Sequence, residues 1–94
     1  MSKKLANLYL FCENNKESSK QLKITSYANG IVVTQLPCEL FSLEIAPFET
    51  LDVIIDNGQR VLSFMIQDCS ITYDNKIATV IHLEKMYLTF EFTE

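Results

Sequence analysis

Histidine occurs once, glycine and proline twice each, and the three cysteines form no paired motif. Each shortage removes a class of function. A single His82, with no Cys, Asp or Glu at ligand spacing, supplies no zinc site. It also supplies no catalytic triad, because no serine lies in a nucleophile-elbow motif. Neither GxxxxGK nor GxGxxG is present, so no glycine-rich phosphate cradle is expected. Cys12, Cys38 and Cys69 are odd in number and widely spaced. That pattern excludes a disulfide framework and predicts buried free thiols, as in a reducing cytoplasm. No apolar run reaches the length of a membrane span. The opening "MSKKLANLYLFCENN" has a basic start and a short apolar run, but Asn7 breaks the run and no small-x-small site follows, so no leader is expected.

What is present is one domain's worth of chain, 94 residues, of which 48% are hydrophobic. With so little Gly and Pro, the composition is that of a folded globule rather than a disordered segment. Charge is unevenly spread. Residues 1–23 hold five lysines against two glutamates, a net of +3, whereas residues 24–94 hold three basic and ten acidic groups, a net of −7. An acidic body disfavours nucleic acid, whose phosphates need clustered cations. The basic start reads as a solvated first hairpin.

Apolar residues recur mainly every second position. "LYLFC" (8–12) is read as a strand and "ENNKESSK" (13–20) as a polar loop. "QLKITSY" (21–27) and "IVVTQL" (31–36) flank Ala28-Asn29-Gly30. A three-residue connection sets Tyr27 opposite Ile31, Ile24 opposite Thr34 and Leu22 opposite Leu36, and gives Gly30 the positive φ of a bulged turn. The same glycine also fits a loop that approaches a ligand. "PCELFSLEIA" is read as a short strand over Phe41–Ile45, with a one-turn helix near Pro37–Leu40 as the alternative, and Pro47 ends it. "LDVIIDNGQRVLSFMI" is the strongest hairpin signal. A two-residue Asn57-Gly58 turn would pair Ile54 with Val61, Val53 with Leu62 and Leu51 with Phe64, and place Asp52 and Ser63 on the opposite face. "SITYDNKIATVIHL" reads as another hairpin and "MYLTFEF" as a closing strand.

The fold expected is all-β: a small antiparallel β-barrel or two-sheet sandwich of six to eight strands built from consecutive hairpins, with little or no helix. An open flat sheet would leave sticky edges.

The carboxylates near strand ends, Asp52, Asp56, Asp68 and Asp74, are explained by edge protection, and so small a domain leaves little room for a glycosidase cleft. "DNGQ" and "YDNK" lack calcium-loop spacing. Tyr9, Phe11, Tyr27, Tyr73 and Tyr87 suggest a stacking platform, but apart from Lys23 and Lys85 the residues among them are acidic or neutral. No cofactor and no metal is therefore expected.

From Ile24 onward the chain resembles a PilZ-type domain, the small bacterial β-barrel that binds cyclic di-GMP. The resemblance lies in "ITSYANGIVV", which is similar to the family's DxSxxG loop and following strand, in "PFETLDVII", and in the closing "YLTFEF". Ile24 stands where the family has Asp, and the Ser26–Gly30 gap is one residue longer. The RxxxR clamp is absent: Lys16 and Lys20 have its spacing, but lysine does not give bidentate, stacked guanine recognition. The resemblance implies a degenerate member that acts through protein partners.

Two functions are expected. One is a non-enzymatic interaction module that binds another protein or a second copy of itself, with Tyr9, Phe11, Tyr27 and Tyr87 at the interface. The other is a small-ligand site formed by Lys16, Lys20, Ser26, Asn29 and Gly30. Strands apolar on both faces favour the first, because one core buries only one face.

Overall fold

A computed structural model describes residues 3–27, 31–55, 59–83 and 86–94. It contains a helix, α1 (Lys3–Ser18), followed by strands β1 (Gln21–Tyr27), β2 (Ile31–Pro37), β3 (Phe41–Ala46), β4 (Thr50–Ile55), β5 (Gln59–Met65), β6 (Cys69–Asp74), β7 (Ile77–His82) and β8 (Met86–Thr93). The strands form two antiparallel sheets, a five-stranded one in the order β2-β1-β8-β7-β6 and a three-stranded one in the order β3-β4-β5. The sheets do not close into a barrel. Their inner faces meet, with the Phe41 ring of β3 lying 5.9 Å from Phe90 and 6.3 Å from Phe92 of β8.

The hairpin registers follow the hydrophobic alternation. Between β1 and β2, Tyr27 pairs with Ile31, Ile24 with Thr34 and Leu22 with Leu36. That is the register of a three-residue connection, although Ala28, Asn29 and Gly30 themselves lie outside the described residues. Between β4 and β5, Leu51 pairs with Phe64, Val53 with Leu62 and Asp52 with Ser63. The expected Ile54–Val61 pair does not form: the register shifts after Val53, Ile54 pairs with Arg60, and Val61 is left as an extra residue. Such a bulge sharpens strand twist where the hairpin leaves the core. The Asn57-Gly58 turn lies outside the described residues. Both readings of 37–45 hold at once, because a 3₁₀ turn at Cys38–Leu40 leads directly into β3.

α1 corrects the reading of residues 8–12 as a strand and 13–20 as a loop. Leu5, Leu8 and Cys12, at i, i+3 and i+7, are fully buried on one face. Ala6, Leu8, Leu10, Glu13, Lys16 and Glu17 favour helix, and the polar second half is simply its solvent face. The first turn carries Lys3 and Lys4 and no acid, which opposes the helix dipole. Tertiary contacts compensate. The Lys4 ammonium donates to the Cys69 carbonyl at the start of β6, and the Lys16 ammonium donates to the Phe41 carbonyl at the start of β3. These lysines are about 18 Å apart along the helix. α1 therefore reaches an edge strand of each sheet and covers the apolar surface between them. Near its end, the Lys76 ammonium donates to Ser19 Oγ at 3.2 Å.

One core results. Leu22 and Ile24 of β1, Ala78 and Val80 of β7, and Leu88, Phe90 and Phe92 of β8 pack with Phe41, Leu43, Leu51 and Val53 of the small sheet and with α1. Full burial of each large side chain contributes roughly 1.5–3 kcal/mol.

Candidate functional site

Lys16 and Lys20 do share a site. They line an open groove of about 550 Å³ with Glu13, Glu17, Ser19, Pro37, Cys38 and Glu39. Two cations stand there against three carboxylates, and Lys16 is already engaged with the Phe41 carbonyl. The positive charge that a phosphate would meet there is thus offset. The Cys38 thiol is buried, and burial raises its pKa more than Lys16 and Lys76 lower it, so it remains a neutral thiol.

Ser26 does not join this groove. It is buried at the far end of β1, six positions from Lys20 and about 20 Å along the strand. Asn29 and Gly30 lie outside the described residues. The expected ligand set of Lys16, Lys20 and Ser26 is therefore divided between the two ends of one strand.

The four aromatic residues also divide. Tyr9 and Phe11 belong to α1 and are partly buried against the core. The Phe11 ring lies 4.9 Å from Tyr73 and 6.0 Å from Phe92, so it works in packing. Placing these two with Tyr27 and Tyr87 assumed a strand at 8–12, and the helix removes that assumption. Tyr27 and Tyr87 are direct cross-strand partners, 45% and 44% exposed.

The strand pairings extend that tyrosine pair into a surface. Across β6, β7, β8 and β1 one row runs Ser70, Ile81, Tyr87 and Tyr27. The next row runs Thr72, Thr79, Thr89 and Thr25, with Val33 of β2 beside it. The third runs Asp74, Ile77, Glu91, Lys23 and Gln35. These residues alternate with the core residues and so form the outer face of the large sheet. α1 and the small sheet both lie on the inner face, and no described element covers the outer one. At its centre Thr25 is only 6% exposed, shielded by its larger neighbours.

Among the described residues no three of His, Cys, Asp and Glu are placed to hold a metal ion. His82 is half-buried beside Cys69 and Met86 in the register. Asp52 is buried and accepts a 2.6 Å hydrogen bond from Ser63 Oγ, its partner across the β4–β5 ladder. Phe48 is 85% exposed in the Pro47–Glu49 turn, where its φ of 64° is left-handed, but a single exposed apolar residue is ordinary. No helix among the described residues is long and apolar enough to cross a membrane.

Residues Lys23, Thr25, Val33, Ile81, Thr89 and Glu91 were not singled out as site candidates. Their signal was the outward position in each strand, which becomes a surface only once β1 is known to pair with β8. No protein-family model, curated protein or solved structure matches the chain.

Proposed function

We propose that this chain is a non-enzymatic protein-interaction module whose binding surface is the outer face of the five-stranded sheet. The observation that carries this reading is the Tyr27–Tyr87 pair. Two aromatic side chains stand side by side, almost half exposed, on the two adjoining strands nearest the middle of a face that no described element covers. Tyrosine suits recognition because it offers large contact area for little lost conformational freedom. Paired central strands hold such anchors more rigidly than loops would.

Peptides selected from a random library against the immobilised chain test this reading, since selection concentrates on binding hot spots. Their binding is expected to be lost in the Tyr27→Lys/Tyr87→Lys double variant and kept in Lys16→Ala/Lys20→Ala. The opposite pattern refutes the assignment.

A second reading is a small-ligand site, including a degenerate PilZ-like one. One observation favours it: Lys16 and Lys20 line a common groove. A ligand at one hundred times its dissociation constant adds about 2.7 kcal/mol of stability, so a thermal-shift series with cyclic dinucleotides and mononucleotides decides it.

A further inference from the structure

We infer that the outer face of the five-stranded sheet is the contact surface for a second copy of this chain, packed face to face about a two-fold axis along the seam between β1 and β8. The inference rests on the reading of that face as the binding surface, and adds the occupant and its orientation.

The argument is one of self-complementarity. The seam splits the face into a β8 side and a β1 side, and residues at the same level face each other across it: Glu91 beside Lys23, Thr89 beside Thr25, Tyr87 beside Tyr27. A two-fold axis lying in the contact plane along this seam exchanges the two sides. Glu91 of each copy then meets Lys23 of the other, so opposite charges meet twice. Tyr87 meets Tyr27, Thr89 meets Thr25, and Thr79 meets Val33. Isologous contacts require this kind of reciprocity, in which residue i meets j and j meets i. Strands of the two sheets run in nearly the same direction, the aligned arrangement in which sheets pack at about 30° and about 10 Å apart.

The other in-plane axis, perpendicular to the strands, places the tyrosine row against the charged row. It would bury Lys23 and Glu91 without opposite charges across the contact, which is costly. Size is consistent with a reversible dimer. About this axis β1 lies over β8 and β2 over β7, with β6 overhanging. Four strands at about 4.8 Å and six residues at about 3.3 Å give roughly 400 Å² on each copy, the size of a weak, transient contact. A contact this small is expected to associate weakly, with a dissociation constant of about 0.1–1 mM.

Sedimentation velocity from about 10 µM to about 1 mM tests it, using the whole chain and two single variants. Lys23→Glu and Glu91→Lys each place like charges opposite each other across the axis, and each is expected to stay monomeric where the unaltered chain dimerises. Mixed in equal amounts they are expected to associate with each other, because the carboxylate introduced at position 23 of one then meets the ammonium introduced at position 91 of the other. Each variant also carries like charges side by side within its own sheet. The mixture does not relieve that strain, so recovery reports contact between chains. Circular dichroism and melting temperature establish that both variants are folded.

Self-association of both variants at the level of the unaltered chain, or a mixture of folded variants that stays monomeric, overturns the inference. An unaltered chain that is monomeric throughout also overturns it, but leaves the broader reading to the peptide selection. Dimerisation that persists in Tyr27→Lys/Tyr87→Lys overturns it too, and again leaves the broader reading to the peptide selection.

Discussion

The two faces of the five-stranded sheet are made from the same backbone, yet one is sealed and the other is covered by no described element. On the inner face Leu22, Ile24, Val80, Leu88, Phe90 and Phe92 are buried under α1 and the small sheet. On the outer face, one residue out of step, Tyr27 and Tyr87 remain nearly half exposed, with Val33 more so. Because side chains alternate strictly along a strand, the residues that hold this domain together and those proposed to meet a partner are separate sets interleaved in sequence. Stability and recognition are then separable by mutation.

The largest expected effect breaks the inner face. Phe90→Ala removes a fully buried ring in contact with Phe41 and is expected to cost about 3–5 kcal/mol in urea unfolding. On the outer face, Tyr87→Ala is expected to cost less than about 1 kcal/mol while weakening association. Equal costs for the two would break the comparison.

The next effect concerns the lid over the inner face. Leu8→Ala is expected to cost about 2–5 kcal/mol, because Leu8 is fully buried although it lies outside the sheets. Leu10→Ala, at a position 56% exposed on the same helix, is expected to change stability by less than about 0.5 kcal/mol. Similar losses from both would mean that α1 does not dock by the Leu5–Leu8–Cys12 face.

The smallest effect is a pH dependence. Burial, reinforced by the charge of Glu13, raises the Cys12 thiol far above its ordinary value of about 9. The unfolded chain gives up this proton while the folded chain keeps it. Its contribution is therefore full below about pH 9 and is lost as pH rises above it. A melting-temperature series into the alkaline range is expected to fall less steeply in Cys12→Ala than in the unaltered chain. Some slope remains, because burial also raises Cys38 and Cys69. An unchanged slope would place Cys12 outside the sealed side.

Much of the β architecture was legible because hairpins are local. The Tyr27–Ile31 register and the Leu51–Phe64 pairing both follow from alternation read across a short turn. Three things were not legible, each for a physical reason. The bulge at Val61 answers to twist rather than to hydrophobic pattern. The spacing of Leu5, Leu8 and Cys12 was present, but Tyr9, Leu10 and Phe11 fill the gaps with apolar residues and blur helix into strand. The β1–β8 pairing joins opposite ends of the chain, and no local rule specifies it. That third gap hid the candidate site: Tyr27 and Tyr87 were each visible, but their adjacency, and with it the roles of Lys23 and Glu91, required the topology.

The most direct test is methyl NMR of the whole chain as its concentration is raised over the range in which it associates. The account predicts that the outward methyls of Thr25, Val33, Ile81 and Thr89 shift together, while the inward methyls of Ile24, Val80 and Leu88 on the same strands stay in place. Shifts that cluster instead at the Leu40 methyls, beside the Lys16–Glu39 groove, or that affect inward and outward methyls alike, would contradict it.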